Sequence, residues 1–309
     1  MNAPQTPSWK AFGAALSTIS LWAVAFPAIS VGVRHVEPVA LASVRFATAA
    51  GIFCLWRARH WVRPASWQDA GRICLCGVLG IALYNVLLNT GQRSVPPGAA
   101  SFIIATQPIF AAALSALLGH ERLTIRTLSG SAVSLLGVAI ISLGLLASWR
   151  LGHGAAFVVA AAACSGSYFV LQRPLVLRYG AITAASWTIL VGAVLLLPWL
   201  PQGIAQTARS GEAIVAVGFL ALGAGVLAYT LWMSALAGLG AARAANLLFL
   251  MAPLATALSA LTLGSRPGMP TLIGGALALL GVAIVNHGYR HANPQLAGSF
   301  KPTPLRGSD

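Results

Sequence analysis

Ten stretches of this sequence stay apolar for the length of a bilayer crossing, and almost no charge interrupts them. They run at approximately 11–33, 38–56, 70–91, 97–119, 127–148, 154–176, 181–200, 213–236, 241–263 and 270–289, where about 20 apolar residues suffice for one helical span. Hydrocarbon offers backbone N–H and C=O groups no partner, so each stretch must close its own hydrogen bonds as a helix. The breaks at 34–38, 57–68, 96–98, 120–126, 201–212 and 265–270 are short and marked by Pro, Gly or Arg, and none has room for a soluble domain. Only 8% of the residues are charged, against about 25% in a soluble globular protein. The expected fold class is an all-α integral membrane protein of ten transmembrane helices, with the lipid bilayer as its solvent.

Much of the chain is written twice. A shift of 145 residues puts Gly80 on Gly225, Tyr84 on Tyr229, Pro108 on Pro253, Ala112 on Ala257 and Leu118-Gly119 on Leu263-Gly264. After one residue drops out, Leu136-Gly137-Val138-Ala139-Ile140 matches Leu280-Gly281-Val282-Ala283-Ile284. Apolar matches alone would be unsurprising, but Tyr, Pro and Gly keeping one spacing indicate two homologous halves. The expected organisation is a short arm (1–10), a first repeat (11–148), a second repeat (154–289) and a tail (290–309).

The net charge of +14 would suggest nucleic acid in a soluble chain, but these arginines lie between apolar runs and no basic stripe is interleaved with aromatics. They are read instead as topology signals. With the amino terminus in the cytoplasm, thirteen basic residues fall inside: Lys10, Arg57, Arg59, Arg63, Arg72, Arg122, Arg126, Arg173, Arg178, Arg243, Arg290, Lys301 and Arg306. Five fall outside: Arg34, Arg93, Arg150, Arg209 and Arg266. Both termini are therefore expected in the cytoplasm. Five spans per half is an odd number, so the halves enter the membrane in opposite senses. Such inverted repeats suit a transporter whose site lies between them near the midplane.

These residues resemble the drug/metabolite transporter superfamily in its ten-helix EamA-like branch. The resemblance rests on Leu21-Trp22-Ala23 in the first span, Arg45-Phe46 in the second, Pro108 in the fourth, Leu118-Gly119-His120-Glu121-Arg122-Leu123 after it, and Gly130 with Gly137 in the fifth. It covers about 11–290. The chain departs from the pattern at Trp22-Ala23, where Trp-Gly is frequent, and at Leu263-Gly264-Ser265-Arg266-Pro267, which lacks the acid that Glu121 supplies in the first half. The resemblance implies a bacterial-type inner-membrane carrier of a small-molecule metabolite, an amino acid or related compound, exported by alternating access. A lipid flippase on the same fold is the nearest alternative.

Polar residues inside spans are costly and so mark candidate sites. Asn85 and Asn89 lie one helical turn apart with Gln92, beside Tyr84, and Thr230 and Ser234 hold the matching places beside Tyr229. These two stripes either line one cavity or hold the bundle together by interhelical hydrogen bonds. Arg45 lies well inside the second span; it either meets a substrate carboxylate or pairs with helix-end carbonyls or Glu37. Gln107 borders Pro108 and Asn246 precedes Pro253, and these two prolines are candidate hinges because each frees a backbone carbonyl. Trp22, Tyr168 and Trp187 are placed to stack on a substrate. Six other tryptophans (9, 56, 61, 67, 149 and 199) lie near span ends, where an interfacial belt explains them. Gly130, Ser134 and Gly137, with Gly274, Ala278 and Gly281, read as close helix packing.

Several chemistries are not expected. No HExxH, GxSxG or paired carboxylates suggest an enzyme, including an intramembrane lipid-modifying one. Cys54, Cys74, Cys76 and Cys164 make neither a disulfide framework nor a metal site, and no cofactor is implied. The run after the short arm is too long for a signal-peptide core, so no cleaved leader is expected. All five acids, Glu37, Asp69, Glu121, Glu212 and Asp309, lie in loops, tails or helix ends; His287 is a lone intramembrane histidine. No buried carboxylate offers itself as a proton or sodium relay. The topology has a direct check: reporter tags on both ends should be protected together in right-side-out vesicles, and tags on opposite sides would remove the inverted arrangement.

Overall fold

The computed structural model describes residues 9–57, 63–118, 124–145, 149–239 and 247–292. Among them there is no strand. The helices are α1 (Trp9–His35), α2 (Pro38–Arg57), α3 (Trp67–Gly91), α4 (Pro97–Leu117), α5 (Ile125–Leu145) and α6 (Trp149–Tyr179). Then come α7 (Ala181–Leu196), prolonged by a turn at Leu197–Trp199 and a short helix Leu200–Thr207, and α8, built of Gly211–Gly218, Phe219–Leu227 and Ala228–Leu239. The last two are α9 (Met251–Leu263) and α10 (Met269–Ala292). Among the described residues seven helices are long and apolar enough to cross a membrane, namely α1 to α4, α6, α7 with its extension, and α8. Shorter apolar helices lie at Leu128–Ile141, Met251–Leu263 and Met269–Ile284.

Local signals for the helix ends are repeated like the rest of the sequence. Ser66 accepts a hydrogen bond from the Asp69 N–H at 3.1 Å to start α3, and Ser210 accepts one from the Ala213 N–H at 3.4 Å to start α8. A side-chain acceptor there satisfies one of the N–H groups that a first turn leaves over. Gly264 ends α9 at a φ of +62°, and Gly180 separates α6 from α7 at +81°, backbone that other residues rarely adopt.

The halves interlock rather than stand apart. α1 packs on α8 and α9, while α6 packs on α3 and α4; α2 faces α7, α4 faces α9, and α5 lies along α10. Exchanging each helix for its counterpart in the other half maps this set of contacts onto itself. Lipid tails are as apolar as leucine, so such contacts depend on close approach rather than on expulsion of water. A side chain at Gly137 would meet the Gly274 carbonyl and Ala278, and one at Gly281 would meet the Ser134 N–H and the Gly130 carbonyl. Between them Ser134 Oγ donates to the Ala278 carbonyl at 2.9 Å. Similar approaches seat Gly166 of α6 against Gln107 and Ala111 of α4, and Gly192 of α7 against Ile81 of α3. The small-residue pattern of α5 and α10 thus acts as expected.

The main core joins both halves, with Ile19, Phe26, Ile103, Leu220 and Met251 in one buried cluster. Leu55, Leu117, Val215 and Leu261 are exposed on the outside, which suits a surface facing acyl chains. Two helices carry wide π turns at matching places, Gly77–Leu83 in α3 and Phe219–Leu227 in α8. Such turns re-aim carbonyls away from the ordinary ladder, and they recur at functional sites. Gly281→Val should push α10 off α5 where both obstacles are backbone, costing about 1–3 kcal/mol. That corresponds to a melting temperature several degrees lower in detergent; an unchanged melt would refute the close approach.

Candidate functional site

Polar and aromatic side chains from both halves collect beside the two π turns. Arg45, on the second turn of α2, is nine-tenths buried, its guanidinium stacked 4.8 Å from the Phe46 ring centroid. Nη1 donates to Asn85 Oδ1 at 3.1 Å. Asn85 is held in turn, because its Nδ2 donates to the Ile81 carbonyl within the π turn of α3 at 2.8 Å. Tyr84 and Tyr229, one from each half, stand within electrostatic reach of the guanidinium. Arg45 does not pair with Glu37, which lies 3.8 Å from Arg93 instead.

The aromatic side of the cluster comes from α1 and α8. Trp22 Nε1 donates to the Ala224 carbonyl, inside the π turn of α8, at 3.2 Å. Its ring meets Tyr229 edge-on at 5.6 Å and lies 5.4 Å from Trp232, a residue the sequence reading passed over although it follows Tyr229 by three. Tyr168 of α6 is buried over Gly80 of the other π turn, where any side chain at that position would enter its ring. The structure therefore brings together Trp22, Arg45, Tyr84, Asn85 and Tyr229, with Tyr168 flanking them.

The other candidates serve elsewhere. Asn89 Nδ2 donates to the Pro38 carbonyl at 2.9 Å and Gln92 Nε2 to the Phe26 carbonyl at 3.2 Å, so these two tie α3 to α2 and α1. Their side-chain oxygens, buried, have no hydrogen-bond partner. Gln107 Oε1 accepts from Ser165 Oγ at 2.7 Å, joining α4 to α6. Trp187 packs against Tyr179 at 4.9 Å in a side cluster. Thr230 donates to the Val226 carbonyl of its own helix at 2.9 Å, and Ser234 is exposed; this second stripe does not face the first. Asn246 and Glu121 lie outside the described residues. Pro108 stands directly after a break in α4 at Ala105–Thr106, and Pro253 follows a tight turn at Leu248–Leu250. Both prolines thus sit where their helix departs from regular α geometry.

A cleft beside Tyr229 and Thr230, walled by Phe53, Trp56, Ile182 and Ala185, holds about 10 Å³, the lower limit for one water. A larger cavity of about 270 Å³ lies among Gly98, Thr256, Arg266 and Thr271.

Polar contacts join the halves at both ends. Asp69, at the start of α3, accepts from Arg178 Nη1 at 2.8 Å and from the Tyr179 hydroxyl at 2.6 Å, and that hydroxyl accepts from the Ala65 N–H at 2.8 Å. At the other end His35 lies 3.1 Å from Glu212, and the Glu37 N–H donates to Gln206 Oε1 at 2.9 Å. The two sets are separated by the length of α3, 25 residues, or about 37 Å at 1.5 Å per residue. Among the described residues no group of His, Cys, Asp or Glu could hold a metal ion.

Comparison with known proteins gives this arrangement a context. The EamA-like transporter family matches the chain twice, at residues 9–143 and 152–287. A relative from Streptantibioticus cattleyicolor, named "Probable terminal-alkyne amino-acid exporter", is 34% identical, over 90% of this chain and 93% of that protein. A "Probable amino-acid metabolite efflux pump" of Salmonella typhimurium is 25% identical, over 89% and 94%. A solved crystal structure sharing 20% identity superposes with a TM-score of 0.60, over 92% of this chain and 99% of that one. At that identity it shows the fold alone.

The Asp69 contacts differ in expected strength. Arg178 is half exposed while Asp69 is buried, so the ion pair should contribute about 0–1 kcal/mol, and the phenol hydrogen bond to the carboxylate about 1.5–3 kcal/mol. Tyr179→Phe should therefore lower the melting temperature more than Arg178→Gln in the same detergent; the reverse order would overturn this ranking.

Proposed function

The chain belongs to the EamA-like transporter family, and we propose that it is a secondary carrier that exports small metabolites, amino acids or related compounds, by alternating access. One observation carries this reading. Arg45 and Asn85 of the first half share a buried cluster with Tyr229 of the second, across the junction between the halves. A carrier needs its binding groups where two moving parts meet, so that motion of one part against the other exposes the site to each side in turn.

Other features support the same reading. The seven long helices and three shorter apolar ones fit ten crossings in two five-helix repeats, and the excess of basic residues in alternate loops favours an inverted arrangement with both termini in the cytoplasm. The break before Pro108 in α4 and the turn before Pro253 at the start of α9 give these helices places to bend. Polar contacts between the halves at both ends fit a state between inward and outward opening. The amino-acid substrate class rests on the names of the two exporter relatives, and an inner-membrane location on the membrane-length helices together with "Uncharacterized inner membrane transporter YedA" of Escherichia coli, 28% identical over 72% of each chain.

Efflux of a labelled amino-acid and metabolite panel from proteoliposomes, with and without a pH gradient, tests this directly. Tyr229→Ala should reduce flux of any transported compound about tenfold, the usual effect of removing a central aromatic anchor, while the protein stays folded in the membrane. Flux equal to wild type in that variant would remove Tyr229 from the site, and absence of flux across the whole panel would refute the carrier reading.

A further inference from the structure

Arg45 is a buried cation without a counter-ion among the described residues. A charged side chain inside a span is costly and marks function, and an arginine guanidinium stays protonated in proteins. No acid reaches it. Glu37 is taken by Arg93 and Gln202, Asp69 by Arg178 and Tyr179, and Glu212 by His35. Its one hydrogen bond in the described structure goes from Nη1 to the neutral Asn85. Nε is buried with no partner, and Nη2 makes no hydrogen bond with the described residues.

The geometry of the guanidinium makes this specific. Nη1 lies on the same side as Cδ, so Nε–H and Nη2–H share the opposite edge and point in parallel. Two parallel N–H groups match the two oxygens of a carboxylate. Asn85 occupies the group that this edge does not use, and Phe46 fixes the plane. Tyr229 stands within electrostatic reach of the guanidinium, and its ring packs with Trp22, which in turn meets Trp232. No acidic side chain is described in the cluster to receive an ammonium, and Arg45 itself repels one.

We propose that the Nε–Nη2 edge of Arg45 is the carboxylate clamp of the transport site, so that the substrates are carboxylates with an apolar or aromatic body in which the amino group is not required. This rests on the carrier reading above and narrows it, because the described cluster offers a paired donor edge to a carboxylate and no acid to an ammonium. The bound carboxylate supplies the charge that the fold leaves out, once the halves part enough to admit it.

Four probes separate the groups: 3-phenylpropionate (carboxylate alone), N-acetylphenylalanine (carboxylate, no ammonium), phenylalanine (both) and phenylalaninamide (ammonium, no carboxylate). Binding is read as ligand-induced thermal shift of the purified full-length protein, and transport as counterflow in proteoliposomes. The first three should bind and compete with one another, and the amide should not. Arg45→Lys keeps the charge but loses the paired edge, and should weaken carboxylate binding about tenfold. Asn85→Asp is the control for folding: it places a carboxylate beside Arg45 in the chain itself, so the melting temperature should hold or rise while binding of all three acids falls at least as far.

Amide binding as tight as that of N-acetylphenylalanine, or wild-type acid binding in folded Asn85→Asp, would overturn the clamp. So would failure of all three acids to bind. If other metabolites still exchange in those cases, the clamp alone is lost; if nothing is carried, the fault lies with the carrier reading.

Discussion

Hydrocarbon has no hydrogen bonds to give, and that constraint orders this structure. A polar side chain in a span must find its partner on its own helix or on a neighbouring one, and those that bridge helices gather where the helices approach most closely. Here the closest approaches are between the halves. Ser134 reaches the Ala278 carbonyl, Trp22 the Ala224 carbonyl, and Thr18 the Ala228 carbonyl. Each bond holds one repeat to the other, and the glycines of α5, α6, α7 and α10 let the backbones come near enough for the bonds to form. Stability and the position of the site therefore have one origin.

The π turns connect that scaffold to chemistry. In a regular α-helix every interior carbonyl is committed to its own ladder. Widening α3 at Gly77–Leu83 and α8 at Phe219–Leu227 turns carbonyls toward Asn85 and Trp22, and these fix the arginine and the aromatic wall. Both turns are rich in glycine and alanine and lie at corresponding places in the repeat. The same local sequence solution is used twice, with a polar outcome in one half and an aromatic one in the other.

Binding energy at such a site is constrained by what the fold leaves unsatisfied. Asn89 and Gln92 each spend their amide N–H on a backbone carbonyl of α2 or α1 and keep a buried oxygen without a donor. Buried groups of this kind weaken the packing around them, and the contacts of Asp69 with Arg178 and Tyr179, and of His35 with Glu212, fasten the two halves against that cost. A carrier benefits from this balance, because a state held too firmly at either end cannot cycle.

How much was legible beforehand follows from the range of the interactions concerned. The spans, the duplication and the small-residue faces of α5 and α10 are local or periodic patterns, and hydrophobic length and spacing write them into the chain. The meeting of Trp22, Arg45, Asn85 and Tyr229 was only partly readable: each was marked as a polar or aromatic residue in lipid, but their convergence needs the two halves to interlock. Trp232, the π turns and the Asp69–Tyr179 contact left no pattern of their own, and Asn89, Gln92 and Thr230 looked like site residues until their partners were seen. By itself the sequence determined which segments are helical and that they come in two related sets, because lipid and backbone chemistry act on short stretches. Only the tertiary structure decided which polar groups meet and which merely tie helices together, because a hydrogen bond depends on ångström-scale placement of residues as far apart as Trp22 and Ala224.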